Sequence, residues 1–398
     1  MYNKNFRILF LNAGHFLTHF FMLIFASLAA LQLSIEWNIT YASLIPYATP
    51  GFIAFGGCAI IAGWIADKWN REWMMVIFFI GIGLSSLLAA LSNSPFHIAI
   101  SLTFIGIFAA IYHPVGLAMI VQEYDKTAFP IAINGVFGNM GVASAALITG
   151  FLIDNTGWRS AFWIPGLFSI MTGIFYFMLV IKNDKRQCDI RRNTTKVEKK
   201  QLLPIPGNTL KKVFGIIIFT TAIGGFIFQS TTFALPKIIE ERLSGIADTA
   251  TMVGWYTFLI FSLASIAQLI IGYLLDNHSL RFIFAGVALL QSIFFALMVH
   301  LNGILALMIA IAFMLVVFAQ IPINDVLIGR IVHSKWRSRA FALRYVVTFS
   351  VMALTIPLIG WIHHYSGFTK LFEMLSYAAL LVFFAVLLLP NNLSKNTV

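Results

Sequence analysis

The chain has 398 residues, 60% of them hydrophobic and only 10% charged, with a mean hydropathy of +0.88; soluble domains run at about 45–50% apolar and about 25% charged. Apolar stretches of about 20 residues recur throughout, each long enough to cross a hydrocarbon core of about 30 Å, which excludes both a soluble globular fold and a β-barrel built of alternating segments of about ten residues. The net charge of +11 does not indicate nucleic acid. If both termini are cytoplasmic, 21 of the 26 Lys and Arg fall on the cytoplasmic side, four (Arg159, Lys237, Arg242, Lys370) fall outside and Arg344 falls within a span. That is the positive-inside bias of a multi-pass membrane protein.

The expected fold is an all-α integral membrane protein of twelve spans, near 6–33, 41–66, 73–92, 96–120, 129–153, 160–181, 213–236, 250–275, 282–301, 304–329, 340–363 and 368–390. The first run is too long for a signal-peptide core and lacks a small-residue cleavage site, so it is expected to remain as a span. It carries Asn12, His15 and His19 at helical spacing, a polar stripe on an otherwise apolar helix. His19 stands twelve residues beyond Arg7, about 18 Å along a helix and close to the bilayer midplane.

The loop after the second span reads "GWIADKWNREW". The fourth span holds His113-Pro114, where proline kinks the helix and frees a carbonyl. The fifth contains "NGVFGNMGVASAALITG", small residues that permit close backbone approach. A polar stretch at 182–212, with ten Lys or Arg, then divides the spans six and six. It reads as a solvated linker that also fixes orientation, and it suits anionic lipid headgroups. The expected domains are therefore 1–181, a linker at 182–212, and 213–398. Later polar residues inside spans are Gln229 in the seventh, Gln320, Asn324 and Asp325 in the tenth, and Arg344 in the eleventh. Cys58 and Cys188 are too few for a zinc or thiol centre.

The halves repeat at an offset near 210. "GHF" at Gly14 matches "GGF" at Gly224, which sets His19 opposite Gln229. "GWIAD" (Gly63 to Asp67) matches "GYLLD" (Gly272 to Asp276), and Gly150 and Gly157 match Gly360 and Gly367. Two six-helix repeats are the signature of a secondary transporter whose site lies near the midplane between the repeats.

On these residues the chain resembles the major facilitator superfamily over essentially its full length. Gly63, Asp67 and Arg71 match that family's Gly-x-x-x-Asp-x-x-x-Arg loop, with Glu72 in place of the usual basic neighbour; the second copy keeps Asp276 and has its arginine one residue late, at Arg281. "GHFLTHFFMLIFASLAALQ", "YHPVGLAMI" and "NGVFGNMGVAS" look more narrowly like the fosmidomycin-resistance type of exporter. That group usually has an acid near His19 and a Glu after His-Pro, where this chain has Val115. The resemblance implies that spans 1, 4, 7 and 10 line a central cavity.

Ionisable residues inside spans cost roughly 2.5–3.5 kcal/mol on insertion scales and are functional candidates by default. The candidates for substrate binding and proton coupling are His15, His19, His113, Gln229, Gln320, Asn324, Asp325 and Arg344; Gly63, Asp67, Arg71, Asp276 and Arg281 form the conformational motif. Imidazole, with an ordinary pKa of about 6.5, suits proton coupling, while a neutral, locally bonded His is the structural alternative. Two imidazoles four apart could share an ion, but they need further ligands, and no metal or cofactor is expected. Asp325 and Arg344 sit about 6–8 Å inside the inner edge at matching depth, which suggests a pair.

The expected function is alternating-access secondary transport of a small, anionic organic solute, coupled to protons, by a monomer in the bacterial inner membrane, with both termini cytoplasmic. Export as an antiporter is slightly favoured over import of a carboxylate metabolite or carboxylate-type siderophore; a non-transporting receptor is a further alternative. No nucleophile–base constellation or phosphate-cradling loop marks an enzyme or an ATP-driven pump.

Overall fold

The computed structural model describes residues 4–124, 128–187, 207–331 and 334–390. Eleven apolar helices among them are long enough to span a membrane: α1 (Phe6–Glu36), α2 (Tyr41–Lys68), α3 (Arg71–Ala90), α4 (Pro95–Glu123), α5 (Phe129–Thr156), α6 (Ser160–Lys182), α7 (Lys212–Arg242), α8 (Ala250–Leu275), α9 (Leu280–Met298), α10 (Gly303–Ile328) and α11 (Leu343–Leu387). At 45 residues, α11 would be about 67 Å long if straight, over twice a bilayer core. Its helical geometry breaks at Gly367 (φ 62°, ψ −167°), so it supplies two of the twelve spans, 343–366 and 368–387.

Contacts divide the chain into two compact units, one of Met1–Lys196 with Ala247–Phe258, the other of Val197–Ile246 with Leu259–Val398. The start of α8 thus groups with the first unit. Residues 188–206 of the basic stretch, Cys188 included, lie outside the described residues.

Three helix pairs dominate the first unit, α1 with α5, α2 with α4, and α3 with α6. Each meets through glycine. A Cβ added at Gly141 would stand 2.1 Å from the Phe16 carbonyl oxygen, at Gly106 2.0 Å from that of Gly51, and at Gly83 2.6 Å from that of Gly166. In hydrocarbon the hydrophobic effect does not drive helices together, and backbone proximity of this kind supplies the dispersion contact that does. In the second unit α9 and α7 each pack against both α10 and α11.

Helix α4 is interrupted at Ala110 and Ile111 between Pro95–Ala109 and Tyr112–Glu123. Pro114 explains the break, because it cannot donate to the carbonyl four residues back. The second segment opens on Tyr112, which is fully buried and donates from its hydroxyl to the Leu11 carbonyl at 2.8 Å. Asn134 of α5, also fully buried, donates to Asn12 Oδ1 at 2.9 Å and to the Tyr112 hydroxyl at 2.8 Å. These bonds tie α1, α4 and α5 together where no water is available.

The repeat read from the sequence is visible in the backbone. Gly157 and Gly367, matched at an offset of 210, both have positive φ, 86° and 62°. Gly14 of α1 lets the Tyr112 ring of α4 approach, and Gly224 of α7 lets the Gln320 amide of α10 approach.

Gly141→Ala is expected to destabilise the protein by about 1–3 kcal/mol, because the new methyl meets backbone rather than a movable side chain. Gly57→Ala, where nothing lies within 4 Å of the added carbon, is expected to stabilise by up to about 1 kcal/mol through helix propensity. Thermal unfolding in one detergent compares them; equal midpoints would show that the α1–α5 contact tolerates separation.

Candidate functional site

In the first unit the three expected histidines meet. His15 and His19 come from successive turns of α1, and His113 is set beside them by the second segment of α4. His15 Nε2 and His19 Nε2 are 3.2 Å apart, and one donor nitrogen from each of the three rings lies within 4.8 Å of the others. Ring centroids are 5.0, 5.2 and 5.4 Å apart for the pairs 15–19, 15–113 and 19–113. His15 is buried, while His19 and His113 are partly open.

The far nitrogen of His15 fixes its tautomer. Nδ1 lies 2.8 Å from the Asn134 carbonyl oxygen and 2.9 Å from Asn134 Oδ1. A backbone carbonyl can only accept, so Nδ1 carries the proton and Nε2 of a neutral His15 presents its lone pair toward His19. Gly138 makes room, since a Cβ there would stand 2.6 Å from His15 Nε2. The cluster can share a proton between His15 and His19 or offer lone pairs to an electrophile.

In the second unit Arg344 of α11 pairs with Asp325 of α10. The pair is asymmetric: the Arg344 side chain is 9% exposed and that of Asp325 42%. Among the described residues, buried Arg344 Nε has no hydrogen-bond partner. Gln320 Oε1 accepts from Gln291 Nε2 at 2.9 Å, while Gln320 Nε2, Asn324 Oδ1 and Gln229 Nε2 are buried without partners. Buried polar atoms without partners are uncommon in folded proteins; among the described residues four of them fall on residues already singled out, and others lie elsewhere in both units.

The loop motif is formed in its first copy. Arg71 pairs with Asp67 at 2.5 Å, and Gly63 places its Cα against Pro114. Arg281 opens α9 and is half-buried; the side chain of Asp276 lies outside the described part of the chain.

Sequence reasoning missed a second polar centre of the first unit. Glu72, noted only as a departure from the family loop, pairs with Arg7 of α1 and accepts from the Tyr176 hydroxyl of α6. Arg7 also pairs with Glu123 of α4. One guanidinium thus joins α1, α3 and α4, and Glu72 adds α6. Arg7 and Glu123 read as ordinary span-end charges, and only the presence of an acid where a base was expected signalled a partner. Tyr112 and Asn134 were likewise missed as the support for His15.

Comparison with known proteins agrees with this architecture. A family model described as Major Facilitator Superfamily matches residues 8–247. A cis,cis-muconate transport protein of Acinetobacter baylyi is 23% identical over 291 residues, 71% of this chain and 68% of that protein. A 4-hydroxybenzoate transporter of Pseudomonas putida is 22% identical over 69% of this chain and 58% of its own length. A gallate transporter of the same species is 27% identical over 33% of this chain and 30% of its own. Among solved structures, a D-xylose–proton symporter superposes with a TM-score of 0.73 at 13% identity, covering 98% of this chain and 99% of that one. The chain is a multi-pass membrane transporter of small organic solutes, not an enzyme, and it belongs to the major facilitator superfamily.

Proposed function

We propose that this transporter moves a small organic carboxylate, coupled to protons, by alternating access, as a monomer in the bacterial inner membrane with both termini cytoplasmic. The observation that carries the anionic substrate is Arg344. A buried guanidinium with one carboxylate partner and an unpartnered Nε is a ready receptor for an oxyanion, since charge-assisted, bidentate contacts to carboxylates are the ones arginine makes best. Muconate, 4-hydroxybenzoate and gallate, the solutes named for the relatives, are carboxylates as well.

The reading assigns His15, His19 and His113 to proton coupling and Gln229, Gln320, Asn324, Asp325 and Arg344 to the solute. The entering anion competes for Arg344 and releases Asp325, which is then able to take a proton. Export is favoured by the motifs shared with fosmidomycin-resistance-type exporters. Import of a carboxylate is the second reading, favoured by the relatives' solutes. Counterflow in proteoliposomes with radiolabelled carboxylates, under imposed pH gradients of either sign, tests both: no counterflow would make the protein a receptor, and flow indifferent to the gradient would remove proton coupling.

His19→Ala is expected to abolish concentrative transport while folded protein remains. His19→Gln keeps a hydrogen-bonding group without titration and is expected to retain exchange only. Normal accumulation by His19→Ala between about pH 5.5 and 8, where imidazole changes charge, would leave the histidine a packing residue.

Asp325→Arg combined with Arg344→Asp is expected to restore folding lost in the single variants but not transport, and Arg344→Lys to weaken solute binding at least about tenfold through loss of the planar fork. Full transport by the double variant would make the pair a static strut.

Asp67→Asn and Arg71→Ala are each expected to slow turnover several-fold with solute affinity little changed, because the pair joins the end of α2 to the start of α3 rather than standing on the polar stripe of α1. Binding and turnover measured separately decide; normal turnover in either variant would remove the motif from the conformational step.

A further inference from the structure

We propose that His15, His19 and His113 form a binding site for a divalent first-row transition metal of the zinc type, with one coordination position left open. The inference does not use Arg344, which lies in the second unit, so it stands apart from the carboxylate reading; it does share its three histidines with the proton-coupling reading, and an ion on their lone pairs would exclude protons there.

The spacing carries it. Two imidazole nitrogens, each about 2.0–2.1 Å from a tetrahedral ion, stand about 3.3 Å apart. His15 Nε2 and His19 Nε2 are already 3.2 Å apart. The third nitrogen lies within 4.8 Å. The His113 ring makes no hydrogen bond among the described residues, so a ring rotation of the order of 1 Å can bring it to the common point. The rings are mutually inclined, at 41°, 87° and 67°, so they do not form a face-to-face stack.

The outer shell is built as metal sites build it. A ligating histidine donates its other N–H to a carbonyl or carboxylate, which fixes the tautomer and strengthens the lone pair. His15 does this through Nδ1 to the Asn134 carbonyl. Asn134 is itself fixed by Asn12 and Tyr112, and Gly138 leaves the ring its space. Neutral imidazoles without a carboxylate or thiolate select zinc, cobalt, nickel or copper over magnesium or calcium. Three protein ligands with a free fourth position are the pattern of a site that also takes an oxygen ligand.

The test uses full-length protein purified through a tag that contains no histidine and stripped with chelator. Titration with Co2+ is expected to give one ion per chain, with the visible absorption of four-coordinate cobalt, displaced by Zn2+. His97→Gln, at an exposed position, is expected to change nothing. His19→Gln and His113→Gln are each expected to weaken binding at least about tenfold, the smallest loss shown even for an outer-shell partner. Should those variants fail to fold, X-ray absorption of Zn2+-loaded wild type keeps the question open to refutation: three imidazole nitrogens at about 2.0–2.1 Å support the site, and a shell of oxygen alone overturns it. Wild-type uptake no greater than that of a folded His19→Gln/His113→Gln double variant also overturns it.

Discussion

A polar atom inside hydrocarbon has no water to fall back on, and the first unit meets that constraint through Asn134. Its carbonyl and side-chain amide together serve His15, Asn12 and Tyr112. A buried donor or acceptor left without a partner costs about 1–3 kcal/mol. Without Asn134, α1 could not carry an imidazole at this depth without that cost. The arrangement has a steric condition as well. Helix α5 must approach α1 closely enough for these bonds, and Gly141, whose Cα lies against the Phe16 carbonyl, allows it. The small-residue run in α5 and the polar stripe in α1 are therefore two halves of one contact.

The second unit treats its polar groups differently. Gln320 is half-satisfied by Gln291, and Gln229, Asn324 and Arg344 each keep an atom without a partner. Networks that are only partly satisfied are unstable in a low dielectric unless something else completes them. The two sets of candidates differ accordingly: in the first unit Asn134 orients the His15 imidazole, and in the second Gln229, Gln320, Asn324 and Arg344 keep open hydrogen-bonding capacity.

Much of this was legible in the sequence because its signals are long-range averages or exact repetitions. The spans follow from hydropathy, and Gly157 and Gly367 declare the repeat before their shared positive φ is seen. The polar stripe of α1 follows from helical period alone, and matching depth suggested that Asp325 would meet Arg344. What stayed hidden depends on which helices are neighbours. Arg7, Glu72, Glu123 and Tyr176 are spread over 169 positions, and no local pattern links them. His113 could be read as a residue beside a kink. Its arrival within 4.8 Å of two other imidazoles depends on the rotation of a helix segment about its own axis, which Pro114 loosens and no periodicity encodes.

The glycines at 157 and 367 differ in kind from those between helices. Nothing lies within 4 Å of a carbon added to either, so neither is kept small by a neighbour. What excludes a side chain is handedness: positive φ is open to glycine and costs an L-residue about 1–2 kcal/mol. In both places the chain turns through a backbone conformation that glycine alone adopts freely; at Gly157 the Ser160 N–H and hydroxyl also donate to the Gly157 carbonyl, at 3.1 and 2.6 Å. The handedness of such a turn is built into the residue itself, so it needs no contact from another helix to be accessible. Each flanking pair, α5 with α6 and the two arms of α11, is thereby suited to enter the membrane as a ready-made helical hairpin, with biogenesis served by the same residue type that elsewhere serves packing.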